Sequence, residues 1–253
     1  MFCIYFRKGL TSTIVFFFVL FLATFGTSFF DTGAADNDPL WEKAVEIASL
    51  NENWVPGYVI HNEAVYSKLG IRIENTETHS NLRKLQDGKV EVIFLKVLLN
   101  SRDITEQFKK EIGERIILEE NEYKVEHPFR SLLQQNVSFT RLNKKKVINR
   151  KNCVLYNFTY RNEQGTWQGI AWLEEKTGTP VLVEGRLITV PFKDEWCTIS
   201  GLETTISFYS NNGDWYPESS IIDSIVEIGD NPSDIYKGRI KETYEFRDYW
   251  RNK

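Results

Sequence analysis

Residues 153–190, CVLYNFTYRNEQGTWQGIAWLEEKTGTPVLVEGRLITV, constrain the fold more than any other stretch. They read as three antiparallel strands in succession. Val154, Tyr156, Phe158 and Tyr160 alternate with Asn157, Thr159 and Arg161, a period of two in a run rich in aromatic and β-branched residues. Asn162 to Gly165 is a polar turn. The second strand, Trp167 to Glu174, sets Ile170 and Trp172 on one face and Trp167, Gly169, Ala171 and Leu173 on the other. Glu175 to Pro180 turns the chain again, with Gly178 suited to a positive φ. The third strand, Val181 to Val190, is interrupted by Glu184, Gly185 and Arg186, where the glycine predicts a bend or bulge in a curved sheet.

The rest of the chain extends this pattern. Asp38 and Pro39 open a helix as N-cap and first helical residue, and Leu40, Trp41, Ala44, Val45 and Ala48 follow at helical spacing. Tyr58 to Tyr66, Leu69 to Asn75, Ser80 to Leu85 and Val90 to Leu99 read as a meander, with a D-G turn at Gln86 to Lys89. Residues 101–127 are a charged excursion whose helix, Glu106 to Glu114, is polar nearly all round and expected on the surface. His127-Pro128-Phe129 with Leu132 and Leu133 forms a short apolar segment, placed either as the end of a cavity or as ordinary covering of the core. Val137 to Leu142 is a strand, and Asn143 to Asn152 a basic turn carrying Lys144, Lys145 and Lys146. Later strands are Leu202 to Tyr209, Trp215 to Ile228 and Tyr236 to Phe246.

Read in order, Trp167, Gly169, Trp172, Leu173, Glu174, Thr177, Gly178 and Pro180 spell W-x-G-x-x-W-L-E-x-x-T-G-x-P. Together with Gly213-Asp214-Trp215-Tyr216-Pro217 and Phe246-Arg247-Asp248-Tyr249, they resemble the LolA/LolB-like periplasmic lipoprotein carriers. Within that superfamily the chain looks most like the uncharacterised outer membrane lipoprotein-sorting proteins. The resemblance covers most of the chain after residue 38 and implies an α+β fold, mostly β. Such a fold is a strongly curved antiparallel sheet, an incomplete barrel, with a helix over its concave face. The hydrophobic cavity between helix and sheet holds acyl chains in characterised members. On this basis Tyr156, Phe158, Trp172, Ile206, Phe208 and Tyr244 form the floor of a hydrophobic site, and Trp41 and Val45 its roof. Parity groups residues within a strand; it does not say which face is concave.

Arg7 and Lys8 precede an uncharged run from Gly9 to Phe30, the pattern of a secretory signal, with small residues for cleavage at Gly33-Ala34-Ala35 or Gly26-Thr27-Ser28. Residues 1–35 are therefore expected to be removed, leaving one domain over 36–253 in the periplasm or cell envelope. An uncleaved segment would instead anchor the protein, since the run is long enough to span a bilayer. Cys3 precedes the apolar run, so no lipidation is expected. The remaining cysteines, Cys153 and Cys197, are an even pair, which in an oxidising compartment invites a disulfide; two buried thiols are the alternative.

With 31 basic and 35 acidic side chains interspersed, the chain lacks the basic footprint of a nucleic-acid binder. His61, His79 and His127 stand apart with no metal-ligand spacing, and no nucleophile elbow, phosphate loop or dinucleotide fingerprint occurs. Neither a cofactor nor a metal is expected, and an enzyme fits least. The expected partners are lipid or lipoprotein acyl chains, bound by a monomer. The other reading is an envelope sensor that binds a segment of a membrane protein and carries no ligand.

Overall fold

The computed structural model describes residues 38–119, 123–162, 165–188, 192–193, 197–211, 213–228 and 236–251. The segment read as an export signal lies outside them. Helix α1 spans Pro39–Leu50. The Asp38 side chain accepts a hydrogen bond from the Leu40 N–H at 2.9 Å, and Pro39 fills a position that needs no donor. Trp41, Ala44 and Ala48 form its buried stripe.

The chain then runs through β1 (Trp54–Val55), β2 (Tyr58–Ser67), β3 (Arg72–Lys84), β4 (Val90–Leu99), β5 (Arg102–Asp103), helix α2 (Thr105–Ile112) and β6 (Arg115–Leu118). A short 3-10 helix, Ser131–Asn136, leads into β7 (Val137–Ile148), β8 (Lys151–Asn162), β9 (Gly165–Glu174) and β10 (Pro180–Leu187). β11 (Phe192–Lys193), β12 (Cys197–Asn211), β13 (Asp214–Ile228), β14 (Tyr236–Arg247) and β15 (Trp250–Arg251) complete it. One antiparallel sheet follows the order β5-β4-β3-β2-β14-β13-β12-β10-β9-β8-β7, with β6 beside β4 and β11 beside β12. The sheet is not closed into a barrel.

Three expectations change. Leu69 to Asn75 and Ser80 to Leu85 are not separate strands: β3 is continuous over 13 residues, and the turn lies before it, at Gly70 with φ 76°. The lysine cluster is not a turn either. β7 extends to Ile148, and the turn is only Asn149-Arg150, both at positive φ, as a two-residue hairpin requires. Lys144, Lys145 and Lys146 thereby lie exposed on an edge strand, where charge discourages pairing with another chain. Gly185 makes no bulge; β10 stays in register with β12 from Leu182 to Arg186.

Register decides which side chains share a face, because directly opposed residues point the same way. Arg141, Tyr156, Ala171, Val183, Ile206, Ser220, Tyr244, His61, Thr78 and Val97 are successive partners across the sheet. The parallel row is Phe139, Phe158, Gly169, Gly185, Thr204, Ile222, Glu242, Glu63, Thr76 and Leu99. One hydrophobic cluster on this face includes Trp41, Tyr156, Phe158, Val183, Ile206 and Ile240. A second, containing Val90, Phe94, Val97 and Phe108, lies under α2. Both helices therefore cover the same face, at different parts of the sheet.

Helix α2 corrects the expectation of an all-polar surface helix. Phe108 is buried and packs edge-on against Phe94, ring centroids 4.9 Å apart. Thr105 ties the helix to the sheet by accepting a hydrogen bond from the Val97 N–H at 2.9 Å. The short apolar stripe was masked in the sequence by Gln107, Lys109, Lys110 and Glu111 around it.

Candidate functional site

The apolar face beneath α1 is built from both ends of the helix. At its start, the Tyr156 hydroxyl donates to Asp38 Oδ1 at 2.8 Å, so one carboxylate caps the helix and holds it to the sheet. Burial, reinforced by Asp38, pushes the Tyr156 phenol well above its ordinary range and keeps it a donor. At the other end, Asn51 Oδ1 accepts from Trp54 Nε1 at 2.9 Å and from the Trp215 N–H at 3.3 Å. Between these anchors Trp41 stacks on Phe139 at 4.3 Å and tilts against Tyr156 at 5.6 Å and Phe129 at 4.8 Å. The Trp41 ring thus occupies the space between roof and floor.

Of the residues assigned to this site, Trp41, Tyr156, Phe158, Ile206 and Phe208 belong to one buried cluster, with Val45 packed at its margin. Trp172 does not. Because Tyr156 pairs with Ala171, the Ala171 set of β9 faces α1, and Trp172 points through the other side of the sheet into a cluster with Cys153, Leu155 and Val181. Small residues are what fit opposite Tyr156 and Phe158, which pair with Ala171 and Gly169. Trp167, Ala171 and Leu173 take the place assigned to Trp172. Tyr244 shares the face but stands away from α1, stacked on His61 with centroids 4.3 Å apart and donating to Glu242.

That neighbourhood is a polar strip on the same face. Glu63 is 5% exposed and Glu242 1%, directly opposite each other on β2 and β14. Thr76, Thr78, Ser220 and Ser224 around them are buried as well. The Glu63 carboxyl is pushed up to about 8, first by burial, then by Glu242 and Glu74. His61 Nε2 lies 3.3 Å from a Glu242 oxygen. Nothing in the sequence marked this strip, since Glu63 and Glu242 are far apart in the chain and meet only through register. Among the described residues, no three His, Cys, Asp or Glu side chains gather as metal ligands.

The His127 segment closes the end of the core at the C-terminus of α1. Phe129 is fully buried, while His127 meets Phe208 and Trp215 edge-on at 5.6 and 5.4 Å. Burial, then Arg130, pulls the imidazole down to about 3, so it is neutral at physiological pH. Beside it is a cavity of about 60 Å³, lined by Asn51, Trp54, Trp215 and Tyr249 among others. It has room for a few waters and not for an acyl chain.

The expected disulfide is not formed: Cys153 is a free thiol with 0% exposure. β9 and β10 stand between β8 and β12, which is about 14 Å at roughly 4.8 Å per strand. Cys153 also faces Glu174, whereas Cys197 lies beyond the Arg186–Glu203 pair at the opposite end of the sheet. A bridge requires Cα atoms within about 7 Å. An even count of cysteines says nothing about which strands are neighbours. Burial also raises the Cys153 thiol. In alkylation of the native protein, Cys153 is expected to stay unmodified until the chain is denatured. A Cys153–Cys197 linked peptide in a non-reducing digest would contradict the register.

No protein-family model and no curated protein matches the chain. Solved structures do. One is described as an outer membrane lipoprotein-sorting protein domain from Vibrio parahaemolyticus, 11% identical over 84% of this chain and 93% of that one, TM-score 0.35. A DUF1329 family protein from Desulfovibrio piger is 9% identical over 85% and 92%, TM-score 0.34. MucB, solved in complex with MucA(peri), is 11% identical over 86% and 100%, TM-score 0.23. No helix among the described residues is long and apolar enough to cross a membrane.

Proposed function

We propose that the protein is an exported, envelope-located carrier that takes a hydrophobic chain, of a lipid or a lipoprotein, against the face covered by α1. The observation that supports this reading most is the width of the apolar face. One cluster runs from Val137 on β7 to Ile240 on β14. Helix α1, with 12 residues, is about 18 Å long and covers this buried cluster together with the segment around Phe129. Apolar contacts of this kind are non-directional and suit an acyl chain of variable structure. Among the described residues, no arrangement of nucleophile, base and oxyanion donors accompanies them. Because Trp41 fills the space under the helix, entry of a chain requires α1 or the Trp41 ring to move.

That packing is also what favours the second reading, an envelope interaction protein whose core is simply full. Protein purified from its native envelope should carry an acyl lipid in near-stoichiometric amount, detected by mass spectrometry after extraction. A fluorescent fatty acid should displace it, and Val45→Asp, which places a charge at the edge of the site, should remove probe binding. If folded wild-type protein carries no lipid and binds no probe, the carrier reading falls. Stoichiometric capture of one envelope membrane protein would then establish the other.

A further inference from the structure

The hairpin between β2 and β3 presents apolar side chains to solvent on a rigid turn. The Ser67 N–H donates to the Ile71 carbonyl at 2.8 Å, and the Gly70 N–H to the Ser67 carbonyl at 2.9 Å. The Ile71 N–H also donates to Ser67 Oγ at 3.2 Å. On this frame Leu69 is 85% exposed, Ile71 64% and Ile73 53%. Single exposed aliphatics are ordinary, but three within five residues at one hairpin tip form a patch with a use.

Charge says what the patch meets. Lys68 and Arg72 bracket Leu69 and Ile71, are exposed, and have no ion-pair partner among the described residues. The cations nearby on β14 differ: Lys237 pairs with Glu227 and Arg239 with Asp223. The tip is thus a local excess of positive charge on a chain of net charge −4. β2 pairs with β14 up to Ser67, and β3 with β4 from Thr76 on, so the tip extends past β4 on that side. What it offers to solvent is a set of aliphatic and basic side chains. Aliphatic tips flanked by basic residues match a bilayer surface, where Leu and Ile enter the acyl boundary and Lys and Arg stay with the phosphates.

We infer that the β2–β3 hairpin tip docks the protein on a membrane surface rich in anionic phospholipid. This holds whether or not the chain carries a lipid beneath α1. The test is flotation of the full chain with vesicles of phosphatidylcholine alone and of phosphatidylcholine mixed with phosphatidylglycerol. Wild type should float with the anionic vesicles, less so as salt rises. Lys68→Gln/Arg72→Gln should weaken this about 30-fold, as expected for two surface cations. Leu69→Asp/Ile71→Asp should abolish it while leaving the melting temperature and circular dichroism unchanged, because both side chains are exposed. All proteins compared share one N-terminal segment, so the difference reports the tip alone. Absence of wild-type binding to anionic vesicles, or undiminished binding by Leu69→Asp/Ile71→Asp, would overturn the assignment.

Discussion

Gly169→Ala is expected to destabilise the protein by about 3 kcal/mol, the upper part of the overpacking range. A Cβ at this position would stand 2.1 Å from the Glu184 carbonyl oxygen, 2.7 Å from Phe158 Cζ and 2.8 Å from the Gly185 Cα. Two of the three are backbone atoms of the neighbouring strand, so relief requires β9 and β10 to move apart. Phe158 cannot swing aside freely, because it is buried and stacked on Tyr160 at 5.9 Å. Gly185, directly opposite, is the control. A Cβ there would meet Thr204 Cγ2 at 3.5 Å and Phe158 Cζ at 3.7 Å, ordinary contact distances. Gly185→Ala is expected within about 1 kcal/mol of wild type. Urea titrations of the two variants check both, and equal losses would show that the pair merely admits no side chain at all. Gly169→Val, with more atoms against the same carbonyl, should fail to fold.

Glu63 gives the second large effect, and it depends on pH. Its ordinary value of 4.5 rises to about 8 in the folded protein. Below 4.5 both folded and unfolded chains hold the proton, and the group contributes no difference. Between 4.5 and 8 the folded state retains a proton that the unfolded chain has released, so stability falls as pH rises. At about 1.4 kcal/mol for each pH step of one, the loss by pH 9 is on the order of 5 kcal/mol. Glu242 across the strand pair, Glu74 on β3, and His61 and Tyr244 beside Glu242 are the titratable groups facing it. Glu63→Gln keeps the shape without the charge. It should flatten the decline and raise the melting temperature at pH 9 by roughly 10 °C, with little change at pH 5. A wild-type melting temperature that stays level from pH 5 to 9 would show that Glu63 ionises freely.

The two glycine variants and the carboxyl pair draw on information of different kinds. The alternation in residues 153–190 made three strands legible, and Asp38-Pro39 marked the helix start, because both are local rules of capping and period. Parity paired Tyr156 with Phe158 and Ile206 with Phe208, and all four lie in one buried cluster; the motifs implied a curved sheet with a helix. Three things were beyond local rules. Which face of β9 meets α1 depends on pairing with β8, and it put Ala171 inside and Trp172 outside. Whether Cys153 meets Cys197 depends on strand order, which separates them by two strands. The meeting of Glu63 with Glu242 depends on β2 joining β14, a pairing between the two ends of the chain.

By itself, then, the sequence determined most of the elements, the alternation within each strand and the broad class of a mostly β, antiparallel sheet with a helix, since these follow from neighbours in the chain. The tertiary structure alone decided strand order and register. Those are set by contacts between residues many positions apart, and a shift of one residue in register exchanges the two faces of a strand.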